Sequence, residues 1–147
     1  MKITAVRIRK LRGTIATSGR FWEDRLVRPI DVYEEYRSTQ RRDENEGGVQ
    51  LDDHRFQIEA CFVQVETDEG LVGIAGPVSE AVGGIVARSL RKIVMGKDPI
   101  AHEMLWDQMH RIMVHGRQGD AMLAISAMDC ALWDLKGEGE LLLTIPR

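Results

Sequence analysis

The stretch AISAMDCALWDLKG, residues 124–137, limits what this chain can fold into more than any other segment. Turning residues 120–136 round a helix at about 100° per residue gives one unbroken apolar arc: Ala121, Ala124, Ile125, Met128, Ala131, Leu132 and Leu135. That arc suits a helix lying on its own domain. The opposite side carries Met122, Leu123, Cys130 and Trp133, interleaved with Ser126, Asp129 and Asp134. A helix apolar on both sides is normally buried between two layers. Only EGELLLTIPR follows it, so the pattern predicts that Met122, Leu123 and Trp133 face a partner.

The rest of the chain offers one layer of strands and few helices. Residues 2–12 alternate apolar and charged side chains, which predicts a half-buried strand, and residues 57–67 repeat the pattern. Asp68-Glu69-Gly70 reads as a hairpin turn into a returning strand, 71–76. Ser79 is placed to cap a helix with Val82, Ile85, Val86, Leu90, Ile93 and Val94 on one face, ended by Gly96. Asp98-Pro99 predicts the start of a second helix, with Leu105, Met109, Ile112 and Met113 as its stripe and Gly116 at its close. Asp120 is a cap for the third, and Gly137 stands where a C-terminal glycine belongs. Strands followed by helices is an α+β order: a three-stranded antiparallel meander, then a bundle of about three helices. Between the first two strands runs a connection of residues 13–56. Its length and its aromatics, Phe21, Trp22, Tyr33 and Tyr36, favour a partly ordered lid over a plain linker.

Charge and composition exclude several roles. A net charge of −3 gives no footprint for nucleic acid or an anionic membrane, and RSTQRR (37–42) is offset at once by DENE (43–46). The N-terminus has no continuous apolar core for a signal or anchor, and no window reads as a membrane span. Cys61 and Cys130 lack a CxxC partner and sit in apolar runs, which predicts buried free thiols in a cytoplasmic protein.

Side-chain chemistry is sparse. His102-Glu103 has Trp106, not histidine, four residues after His102, so the zinc-helix spacing fails. GLVGIAG (70–76) is GxxGxxG inside a hairpin, which suits close backbone packing better than a nucleotide. Asp129 and Asp134 project about 140° apart on a helix and cannot act together on one atom. By residue chemistry alone, no active site presents itself.

A resemblance supplies what the chemistry does not. AISAMDCALWDLKG resembles the first signature of the mandelate racemase/muconate-lactonizing branch of the enolase superfamily, A-x-S-A-hydrophobic-D-x-A-L-x-D-L-x-G. Ala124, Ser126, Ala127, Met128, Asp129, Ala131, Leu132, Asp134, Leu135 and Gly137 all fit it. The opening strand, the DEG-L-V-G hairpin and Asp98-Pro99 agree, so the resemblance spans residues 1–137. It implies an enolase N-terminal-like capping domain. In that family a (β/α)7β barrel follows, whose three carboxylates bind Mg²⁺ and whose lysine or histidine bases remove a proton α to a carboxylate. Here ELLLTIPR matches nothing further, so residues 138–147 read as a non-family tail and the barrel as absent. The implied partner is that missing barrel, in a homo-oligomeric enzyme.

Residues 21–37 are similar to the lid of acid-sugar dehydratases of the rhamnonate dehydratase type. The likeness implies Trp22, Arg25, Arg28 and Tyr33 as substrate-facing, with a carboxylate sugar as substrate. The lid arginine of that type falls four residues after the second tyrosine. Gln40 holds that place here, with Arg41 beside it. The expectation is thus a substrate cap of a Mg²⁺-dependent dehydratase or racemase, truncated near residue 138, binding no cofactor itself and inactive alone. The alternative is a stand-alone binding or oligomerisation module that uses the 120–136 helix as its interface.

Overall fold

The period-two segments fold as strands. β1 (Ile3–Ala16) and β3 (Arg55–Thr67) are long, and β4 (Val72–Val78) returns through a turn in which Gly70 has φ +83°. The structure is a computed structural model and describes residues 1–18, 29–37, 49–116 and 118–144. β3 pairs with β1, with β4 and with a two-residue strand, β2 (Val49–Gln50). β4 runs antiparallel to β3, with Val65 opposite Gly73 and Val63 opposite Ala75. Cross-strand side-chain bonds step the opposite way along β1 and β3: Arg7 to Glu66, Arg9 to Gln64, Arg12 to Glu59. The meander is as expected, except that β1 runs on to Ala16 and β2 adds a short fourth strand.

Two compact units divide the chain: Met1–Leu11 with Ala60–Arg147, and Arg12–Glu59. The second holds a 3-10 turn (Pro29–Val32), the single turn α1 (Glu34–Arg37), and β2 paired with β3. Thr17 N–H donates to the His54 carbonyl at 2.8 Å, and Phe56 is buried.

The first unit contains the remaining helices. Ser79 caps α2 (Glu80–Ile85) by accepting from Val82 N–H at 3.2 Å. A π-turn (Val86–Leu90) and α3 (Arg91–Val94) continue it, and Gly96, at φ +75°, ends it. Val82, Val86, Leu90 and Val94, four apart, are all buried. A strict four-residue repeat drifts round a 3.6-residue helix. The wider π-turn, with Arg91 N–H bonded to Val86 O, lets the four stay on one side.

The second helix departs from expectation at its start. Asp98 does not cap a helix at Pro99; its carboxylate accepts from Ile100 N–H at 3.0 Å in a local turn. α4 (His102–Ile112) begins two residues later and closes before Gly116. Leu105 and Met109 are buried and Met113 is partly so, but Ile112 is 53% exposed and leaves the predicted stripe. The third helix, α5 (Asp120–Thr144), runs straight through Gly137, which is therefore not a helix stop.

Every member of the predicted α5 arc is buried. From Ala124 onward the arc joins Ile3, Val6, Val63, Val65 and Ala75 of the sheet and the stripes of α2 to α4 in one core. Gly73 lets this happen: a Cβ there would lie 2.1 Å from the Ala131 carbonyl and 2.7 Å from Leu135 Cγ. Close packing accounts for that glycine, as its sequence context suggested.

Candidate functional site

The side of α5 turned away from this core is the candidate site. Leu123, Ser126, Cys130, Trp133 and Gly137, at steps of three and four, form an exposed stripe. Leu123 is 59% and Trp133 49% exposed. Met122, expected beside them, is instead half-buried and packs on the core, because it lies at the border of the buried arc. Cys61 is buried as predicted, but Cys130 is exposed, because its place on the helix is opposite the arc. Both thiols are free.

Polar groups flank the stripe on one side. The His102 ring of α4 lies 4.2 Å from the Trp133 ring, tilted by 57°, and Lys136 Nζ stands 4.7 Å over the same indole. Asp129 is half-buried beside them. Burial pushes its carboxyl above the usual range, while the charge of His102 and the Trp133 indole N–H pull it back part of the way. Trp106 and His110 stack at 4.9 Å one turn further along α4. The arrangement is an exposed face that carries an aromatic ring with a cation over it, a leucine, and one carboxyl group whose charged form burial disfavours.

Neither aspartate of the signature acts on a shared atom. Asp134 accepts from Ile74 N–H at 2.8 Å on the edge of β4, and its neighbour Glu138 accepts from Val72 N–H at 3.3 Å. Those edge contacts were not foreseen from sequence, since nothing local to α5 names a strand 60 residues away. Among the described residues, no group of three His, Cys, Asp or Glu side chains is placed to hold a metal. An open groove of about 390 Å³ is lined by Ile93, Lys97, Gln108, Arg111 and Ile112. Both of its cations are engaged, Lys97 with Gln108 at 2.5 Å and Arg111 with Asp107 at 2.7 Å. Of the predicted lid residues, Tyr33 is 57% exposed. Trp22, Arg25, Arg28 and Arg41 lie outside the described residues. No described helix is long and apolar enough to cross a membrane.

The meander and the helices packed on it define an α+β capping domain of the enolase superfamily. The sequence model of the mandelate racemase / muconate lactonizing enzyme N-terminal domain matches residues 53–141, and the chain belongs to that family. It is similar to the D-galactonate dehydratase of Verminephrobacter eiseniae, 35% identical over 93 residues, which are 61% of this chain and 24% of that protein. It is also similar to the L-rhamnonate dehydratase of Saccharopolyspora erythraea, 29% identical over 145 residues, 90% of this chain and 35% of that one. Among solved structures, a mandelate racemase/muconate lactonizing protein of Paracoccus denitrificans, complexed with magnesium, shares 34% identity. It superposes with a TM-score of 0.51, over 58% of this chain and 26% of its own. The chain thus spans about a quarter to a third of the length of these relatives.

Proposed function

We propose that this chain is the substrate-capping domain of an enzyme that removes a proton α to the carboxylate of a sugar acid, by dehydration or racemisation. The observation that carries this is the two-sidedness of α5. One face is wholly buried in the capping domain, and the other leaves Leu123 59% and Trp133 49% exposed. The partner proposed for this face is a (β/α)7β barrel, and the likeness to sugar-acid dehydratases supports a sugar acid as the substrate class. Magnesium and the bases belong to that barrel. The part proposed for this chain is binding. Trp22, Arg25, Arg28, Tyr33 and Arg41 would face the sugar acid, the arginine fork pairing with its carboxylate. The chain alone is inactive, and the assembled enzyme is a cytoplasmic homo-oligomer.

The test is association in solution. The 147-residue chain is titrated with the portion of the Saccharopolyspora L-rhamnonate dehydratase that lies beyond the matched stretch. A complex is expected, weakened at least about tenfold by Trp133→Glu, the size of effect a buried aromatic anchor gives. The exposed stripe also suits a stand-alone interaction module. That reading predicts no barrel complex and a stable self-assembly that Trp133→Glu dissolves to monomer.

A further inference from the structure

The segment Gly137-Glu138-Gly139 ought to end a helix, yet α5 continues through it to Thr144. Each glycine disfavours an interior helical position by about 1 kcal/mol relative to alanine. Among the described side chains of α5 the last buried one is Leu135, and beyond it Leu71, at the margin of the core, lies 3.6 Å from where a Cβ of Gly139 would stand. What also reaches here is Glu138, bonded to Val72 N–H at 3.3 Å, one turn after Asp134 bonded to Ile74 N–H at 2.8 Å.

The two spacings match. Four helical residues advance about 6 Å and two strand residues about 6.6 Å, so carboxylates at i and i+4 meet alternate outward N–H groups of an antiparallel strand. Ile74 lies opposite Gln64 and Val72 opposite Glu66 on β3, and their N–H groups face away from it towards α5. We infer that Asp134 and Glu138 form a latch between α5 and the edge of β4, and that Glu138 keeps residues 137–144 helical. The latch sets the direction in which this last stretch leaves the sheet. It also occupies edge N–H groups that would otherwise be open to a strand from another chain.

Amide hydrogen exchange on the 147-residue chain tests it. Glu138→Ala is expected to speed exchange about fivefold at Val72 and across 138–144, leaving 124–132 unchanged. Glu138→Gln, whose amide oxygen still accepts, is expected to stay near the parent. No Cβ contact opposes alanine at 137. Gly137→Ala added to Glu138→Ala is therefore expected to restore protection over 138–144 but not at Val72. Unchanged exchange over 138–144 in Glu138→Ala would overturn the latch. So would loss of protection along the whole of α5, which would mean that Glu138 serves general folding.

Discussion

Gly73 and Asp129 show how far single positions decide this domain. Gly73→Ala would place a methyl group 2.1 Å from the Ala131 carbonyl, with backbone on both sides unable to retreat cheaply. A loss of roughly 2–4 kcal/mol is expected by chemical denaturation, in the range of overpacked cores. Asp129 works the other way. Its carboxyl is raised by burial, so ionising it costs more in the folded chain than in the unfolded one. Its contribution is therefore favourable below the unfolded carboxylate range and is lost as pH rises through the folded value. Asp129→Asn should stabilise the chain at pH 7, by up to about 0.5 kcal/mol at a half-buried place where solvent still screens the charge. The gain should vanish near pH 3; a gain independent of pH would mean that charge is not the cause. At this scale the sequence was partly legible. The GxxGxxG pattern suggested close packing, but only the partner helix reveals that Gly73 bears it. Cys130 is exposed although its apolar run suggested burial; its angle on the helix, opposite the buried arc, was the better guide.

Elements were more legible where their cause is local. Ser79, Gly96 and the DEG turn each act within a few residues, and each does what its pattern predicts. Ser79→Ala should cost about 1 kcal/mol in thermal or denaturant unfolding, the usual worth of a helix cap. Where a nearby alternative competes, the pattern misleads: Asp98 closes a turn on Ile100 N–H, and α4 starts later. Where the cause is distant, the pattern is silent. Gly137 looks like a stop until Glu138 is seen to reach Val72, 66 residues earlier in the chain. The buried arc of α5 was read correctly in full because one period, 3.6, fixes it.

For the molecule as a whole, the α+β order and the family signature carried the fold, while the chemistry did not follow from either. A cap contributes binding groups and exposed apolar surface; neither has a spacing rule comparable to a metal or nucleophile motif. The exposure of Leu123 and Trp133 was nevertheless legible, because they lie off the arc that the core buries. Placing glutamate at both positions should leave the fold intact, changing unfolding stability by no more than about 0.5 kcal/mol at Leu123 and costing about 1 kcal/mol at Trp133, whose ring meets His102, Lys136 and Asp129. A larger loss, measured by denaturant titration, would mean that the stripe supports the cap itself.

Exchange of the proton α to a carboxylate is the direct test of the proposed capping role. Residues 1–137 of this chain replace the matched stretch of the Saccharopolyspora L-rhamnonate dehydratase, and the chimera is incubated with magnesium and a panel of sugar acids in D₂O. Incorporation of deuterium α to the carboxylate, or dehydration, by the chimera and not by the 147-residue chain is the predicted result. Turnover by the chain alone would contradict it. So would a folded, barrel-associated chimera that neither binds nor exchanges any acid in the panel.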